Sequence, residues 1–216
     1  MLVRDKNCIV LQMPLAEHSG GDSSRTTGML ALCGSGIDQM CLPLFEVPKN
    51  SGLLTRHPDY YDTQCFTRDQ LLCFMAGVWR ARMRPLAKRI FWTHAKRLFF
   101  CQNQLEQFTR KDKGFFGRDP LGPQHIGMLI LCARIYWLYP FLLIAFPVML
   151  LDIIWATKVR PDMEQNQIIA MCFVYDLIWL YTFLHPTWAQ EVRKYWSNWR
   201  QMPEVADLLI RTINRT

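Results

Sequence analysis

The chain contains no CxxC pair, no HxxxH and no HExxH. Zinc centres built on those spacings are excluded, because their ligands must sit on one short turn or one helical face. Its eight cysteines (8, 33, 41, 65, 73, 101, 132, 172) follow no metal pattern. Cys33/Cys41 and Cys65/Cys73 share a spacing, with His57 near the second pair, yet free thiols in a reducing compartment are the simpler reading. A glycine-rich phosphate loop is also missing. The GSG at 34–36 lacks the third glycine of a dinucleotide fingerprint and has no strand–turn–helix setting. No nucleophile–base–orienter set can be assembled: the histidines (18, 57, 94, 125, 185) are scattered, and Asp59/Asp62 in HPDYYD reads as a turn. The expectation is a non-enzymatic protein with no catalytic, cofactor-binding or metal-ligating residues.

Internal repeats and low-complexity tracts are lacking too, and so is a secretory signal. The first apolar run is broken by Gln12 and Pro14, and Arg4-Asp5-Lys6-Asn7 before Cys8 lacks the apolar residues of a lipoprotein site. The N-terminus is therefore expected in the cytoplasm.

What the chain does have is apolar surface and positive charge, both unevenly spread. Half of its 216 residues are hydrophobic, 13% are aromatic, and the net charge is +7. Residues 1–55 carry four Lys/Arg against five Asp/Glu, residues 56–118 thirteen against five, and residues 119–216 eight against eight. The basic block calls for an anionic partner, lipid headgroups or nucleic acid.

Four regions follow. Residues 1–66 read as an irregular N-terminal region: EHSGGDSSRTTG (17–28) is linker-like, residues 28–48 suggest short strands or an irregular packed segment, and 49–66 is again loop-like. Residues 67–123 read as basic amphipathic helices. Thr67 is a helix N-cap with Gln70 three residues on, and the helix at 68–84 stops or kinks at Pro85. The period of Leu86, Ile90, Leu98, Leu105 and Phe108 predicts a second helix over 86–108, ringed by Lys88, Arg89, Lys96 and Arg97. Residues 124–186 hold two apolar segments, 127–156 and 168–185, and residues 187–216 a Trp-rich tail. The fold class expected is mainly α, with amphipathic C-terminal helices.

Are the two apolar segments a buried pair in a soluble domain, or a membrane hairpin? Residues 135–151 are seventeen uncharged residues, and 127–151 hold one arginine, against about twenty needed to span the hydrocarbon. The second segment holds nine Leu/Ile/Phe/Val, about −4 kcal/mol on insertion scales, against about +3 for its central Asp176. Trp137, Tyr139, Trp155, Trp179, Tyr181 and Trp188 gather towards segment ends, as rings do at headgroup level. A hairpin is the reading these features favour. Basic residues before the first segment, and Arg193, Lys194 and Arg200 after the second, then place both termini in the cytoplasm of an inner-membrane protein.

Arg134 and Asp176 would differ in depth by thirteen residues, about 20 Å, so they cannot pair within one hairpin. Asp176 stays protonated, marks a shallow segment, or meets a polar group on another membrane protein. Lys88, Arg89, Lys96 and Arg97, with Arg193, Lys194, Trp188 and Trp199 of the tail, form the expected contact with anionic lipid. Nucleic-acid binding by charge and stacking is the less economical reading.

RARMRPLAKRIFWTHAKR, ARIYWLYPFLLIAFPVMLL and the basic Trp-rich tail form a layout that resembles the ExcA-type entry-exclusion proteins of I-complex conjugative plasmids. The resemblance is one of whole-chain arrangement and carries over no individual residues. It implies an inner-membrane protein that stops its host from receiving a related plasmid, with a component of the incoming type IV transfer machinery as partner. A structural subunit or assembly factor of such a complex, or a membrane-shaping hairpin, stays open beside it.

Overall fold

SSRTTGMLAL, its first six residues expected to be linker, is the most deeply enclosed element of the fold. It forms helix α1 (Ser23–Leu32), and every one of its residues is buried. A helix covered on all sides has no polar stripe, so its sequence carries no 3.6-residue period. The computed structural model describes residues 4–10, 23–32, 34–59, 66, 68–100 and 121–145. Its further helices are α2 (Gly36–Cys41), α3 (Arg68–Arg80), α4 (Arg84–Lys96) and α5 (Pro123–Ala133), with 3₁₀ turns at Leu42–Phe45 and Tyr136–Phe141. The mainly helical expectation holds for these residues. The short strands considered for 28–48 are replaced by α1, α2 and the first 3₁₀ turn. Isolated bridges, Arg4 with Val10 and Glu46 with Leu54, stand outside the helices.

The principal packing contact is α1 against α3. A Cβ added to Gly28 would collide with the backbone of Cys73 and Phe74, and one added to Gly77 would collide with Gly28 itself. Two glycines therefore let the helix backbones touch. Phe45, Phe66 and Phe74 close the same core edge-to-face, with centroids 5.7 Å and 6.2 Å apart. Buried apolar residues run as one cluster from Ile9 to Leu142.

Four helices end in the same way. The N–H of Ser35 reaches Leu30 C=O, Met83 reaches Val78, Phe99 reaches His94, and Ile135 reaches Ile130, in each case closing the last turn with a six-residue loop. The residue before each of those donors is left-handed: Gly34, Arg82, Leu98 and Arg134. Only the first is the glycine that sequence reasoning looks for at a helix end. This explains two differences from expectation. The first basic helix stops at Arg80, not 84, and Pro85 lies in the first turn of α4, where its missing N–H costs nothing. The second stops at Lys96, and Leu98 sits beyond its end, 71% exposed. Residues 101–108 of the predicted helix lie outside the described residues.

The same motif divides the first apolar segment. Met128, Leu129, Ile130, Leu131, Cys132 and Ala133 are core residues of α5, and the helix ends at Arg134. No helix among the described residues is long and apolar enough to cross a membrane. A single helix over 127–156 is thus corrected: its first turns belong to the helical domain. The segment at 168–185 and the tail lie outside the described residues.

The glycine crossing predicts opposite signs for two alanine substitutions. Gly28→Ala should cost about 3 kcal/mol or more, because the obstacle is backbone and cannot rotate away. Gly36→Ala, whose Cβ would meet nothing within 4 Å, should be neutral or stabilise by up to about 1 kcal/mol. Thermal unfolding of the full chain in mild detergent measures both.

Candidate membrane-surface interface

One loop fixes how α4 faces outward. Around residues 45–55 the chain folds back on itself through Thr55 N–H to Phe45 C=O (2.9 Å) and Val47 N–H to Leu53 C=O (3.0 Å). This puts the Glu46 carboxylate, which is buried, opposite α4. Arg89 grips it with two bonds, Nε to Oε1 and Nη2 to Oε2, both 2.8 Å, and Gly52 N–H adds a third at 2.8 Å. Thr93 Oγ1 donates to Ser51 C=O at 2.6 Å. Burial opposes ionisation of Glu46, but Arg89 and the Gly52 N–H outweigh it and hold its pKa below the usual range.

With Arg89 and Thr93 turned toward that loop, and Leu86, Ala87, Ile90, Phe91 and His94 buried, the opposite side of α4 is settled. Arg84, Lys88, Trp92 and Lys96 recur at every fourth position and are all exposed. Arg80 and Arg82 at the preceding turn and Arg97 at the following one are exposed as well. None of these cations has an ion-pair partner among the described residues. No aspartate or glutamate lies between Asp69 and Glu106 to supply one locally.

Beyond α5 the surface changes from cationic to apolar. Tyr136, Trp137, Leu143 and Ile144 are exposed, Trp137 by 70% and Leu143 by 78%. The two surfaces meet where the Arg84 guanidinium carbon lies 5.9 Å from the centre of the Tyr136 ring, within cation–π range. Tyr136 in turn stacks obliquely on Tyr139 at 5.3 Å.

Of the residues expected to touch lipid, Lys88, Lys96 and Arg97 stand on this surface, while Arg89 is committed to Glu46. Arg193, Lys194, Trp188, Trp199 and Asp176 lie outside the described residues. Arg84 and Trp92 were missed as surface residues, although their four-residue spacing with Lys88 and Lys96 is legible in the sequence. The meeting of Arg84 with Tyr136 is not legible, since fifty-two residues separate them.

A second cluster gathers Asp5, His57 and Asp59, whose potential ligand atoms lie within 4.8 Å of one another. His57 Nδ1 accepts from Asp59 N–H at 3.1 Å, so the neutral ring carries its proton on Nε2. That nitrogen faces Asp5 Oδ2 at 3.2 Å. A metal on Nε2 would require the proton on Nδ1, against an N–H already pointing there. The arrangement suits a latch: Asp5 Oδ1 also accepts from the N–H groups of Asn7 and Ile9 at 2.8 Å, which ties the 4–10 turn to the 57–59 turn. Cys41 and Cys132 are buried free thiols donating weakly to the carbonyls of Asn7 and Met75.

No protein-family model, curated protein or solved structure matches the chain. The functional reading therefore rests on residues and geometry.

Two measurements test this electrostatic layout. Arg89→Gln leaves Glu46 buried and unpaired and should cost about 2–3 kcal/mol, whereas Lys88→Gln, one residue away, should stay within about 0.5 kcal/mol. Acid should also destabilise the fold. Burial lowers the pKa of His57, outweighing its acidic neighbours, and that of His94, and pulls His125 down to about 3. Below about 6.5 the unfolded chain takes up protons that the folded chain refuses. Stability is complete above that pH and falls as pH drops towards 3. A melting temperature that stays flat from pH 7.5 to 5 would contradict this.

Proposed function

We propose that this is a non-enzymatic, membrane-associated protein whose helical domain rests on an anionic bilayer surface, and that its activity is exclusion of a related conjugative plasmid. The observation that carries the membrane reading is the junction of the two surfaces. Cations without ion-pair partners among the described residues run along α4 to Arg84, which meets the ring of Tyr136, the first exposed residue of the uncharged run 135–151. Each basic residue near an anionic surface is worth about 1 kcal/mol, and amphipathic rings favour the headgroup level. In this reading the membrane-entering portion lies beyond Ala145, because Ile135, Leu142 and Ala145 are buried in the helical domain, and a hairpin closed at 157–167 returns the tail to the cytoplasmic face. The exclusion activity comes from the whole-chain resemblance, with an inner-membrane component of the incoming transfer apparatus as partner.

Recipient cells with and without the protein, mated with donors of a related plasmid, test the proposal. Transfer should fall at least about tenfold when the protein is present, and the protein should stay in the carbonate-washed membrane pellet. Asp176→Leu removes about 3 kcal/mol of insertion cost, so it should stay in the pellet at least as well while losing exclusion. Unchanged transfer with wild-type protein in the pellet would point to an assembly factor or a membrane-shaping hairpin instead.

A further inference from the structure

We infer that Cys8 and Cys41 form a peroxide-sensitive pair, able to close a disulfide that ties the N-terminal turn to α2. Nothing in this pairing depends on the membrane reading.

The two cysteines are thirty-three positions apart in the sequence, and the packing of the 4–10 turn on α2 brings them together. Arg4 reaches across with two 2.9 Å bonds to Asp38 of α2, and its Nη1 also donates to Cys8 C=O at 2.6 Å. One helical turn after Asp38, the Cys41 thiol donates to Asn7 C=O at 3.5 Å. That oxygen belongs to the peptide bond leading into Cys8 and lies about 2.8 Å from the Cys8 Cα. The two Cα atoms are then at most about 9 Å apart, and closer because the contact bends at both ends. Disulfides span roughly 4.4–6.8 Å between Cα atoms, so a shift of about 2 Å or less by the turn closes the gap.

The turn is the exposed partner. Cys8 is solvent-accessible, whereas Cys41 is buried as the last residue of α2. Cys8 is also left-handed, at φ 63°. Glycine or asparagine fills that conformation at lower cost, so local backbone preference does not account for a cysteine there.

Both thiols are free in the structure. Burial, with Asp38 adding to it, raises the pKa of Cys41 and keeps it protonated. The exposed Cys8 therefore meets an oxidant first. Hydrogen peroxide is the co-reactant. The Cys8 sulfur attacks one peroxide oxygen, the O–O bond breaks, and the departing hydroxide leaves as water with the Cys8 proton. A sulfenic acid remains on Cys8. The Cys41 sulfur then displaces hydroxide from the Cys8 sulfur, and the Cys41 proton completes a second water. One S–S bond has formed, two thiols have given up two electrons, and peroxide has been reduced to water. Thiol reductants reverse the bond, which makes it a response to peroxide and not a permanent staple. Closing it would fix to α2 a turn already latched to the 57–59 turn through Asp5 and His57.

The full chain, reduced and purified in nonionic detergent, is treated with hydrogen peroxide and read by intact mass and peptide mapping. Wild type should lose about 2 Da for this bond and regain it with dithiothreitol. Tryptic peptide 7–25 should be linked to peptide 26–49, with fragmentation placing the bond on Cys41 and not on Cys33. Cys41→Ser keeps a donor for Asn7 C=O but cannot resolve the sulfenic acid, so dimedone should trap Cys8 at least about fivefold more than in wild type. Oxidation of wild-type Cys8 with Cys41 left reduced overturns the pair, as does linkage of Cys8 to another cysteine, or a mass that does not fall. Should Cys41→Ser fail to fold, the wild-type peptide map alone decides.

Discussion

Backbone contact between α1 and α3, made at Gly28 and Gly77, is the constraint on which the remaining packing depends. Close approach of two helices multiplies weak dispersion contacts along both surfaces and leaves no gap for solvent. It also explains how a helix as polar as SSRTTGMLAL can be interior, since Ser, Thr, Gly and Ala are small enough for backbones to approach. Once α1 covers one side of α3, the other side is left for α4 and α5. The loop that closes α1 at Gly34 leads directly into α2, whose Asp38 is held by Arg4 through two 2.9 Å bonds.

A second regularity is the sorting of charge. Asp38 and Glu46 are buried, and each is gripped by one arginine from a distant part of the chain. Such pairs stabilise little compared with an apolar replacement, but breaking one strands a buried charge, so they fix register. Arg80, Arg84, Lys88, Lys96 and Arg134 face outward without ion-pair partners among the described residues. A surface of one sign repels itself, and this fold concentrates it on one helix face. This separation into stapling arginines and outward cations divides neighbours as close as Lys88 and Arg89.

The ends of the helices connect packing to the proposed role. Three of the four shared C-terminal motifs place a non-glycine residue in the left-handed region, at a cost of about 1 kcal/mol each. At Arg134 that conformation turns the chain from a core helix into an exposed, aromatic 3₁₀ segment. A strictly continuous helix would have carried Trp137 and Leu143 along the α5 axis. The break instead sets the Tyr136 ring against Arg84, where aromatic and cationic surfaces adjoin.

Much of this was written locally. Periodicity pointed to a mainly helical chain and block charge to an excess of cations over residues 56–118, because both are read along the chain and need no geometry. The four-residue periods of α4 marked its buried side, and Pro85 marked a break between two helices, because Pro restricts its own backbone wherever it stands. The rest required the tertiary structure. Burial of α1 left no period to read. Helix ends at Arg82, Leu98 and Arg134 carried no glycine, since a six-residue loop supported by its surroundings can impose a left-handed turn on other residues. That Arg89 belongs to Glu46 while Lys88 belongs to solvent was decided by a partner forty-three residues away. Sequence determined which charges exist; only the fold determined which of them are already neutralised, because pairing depends on distance in space and not along the chain.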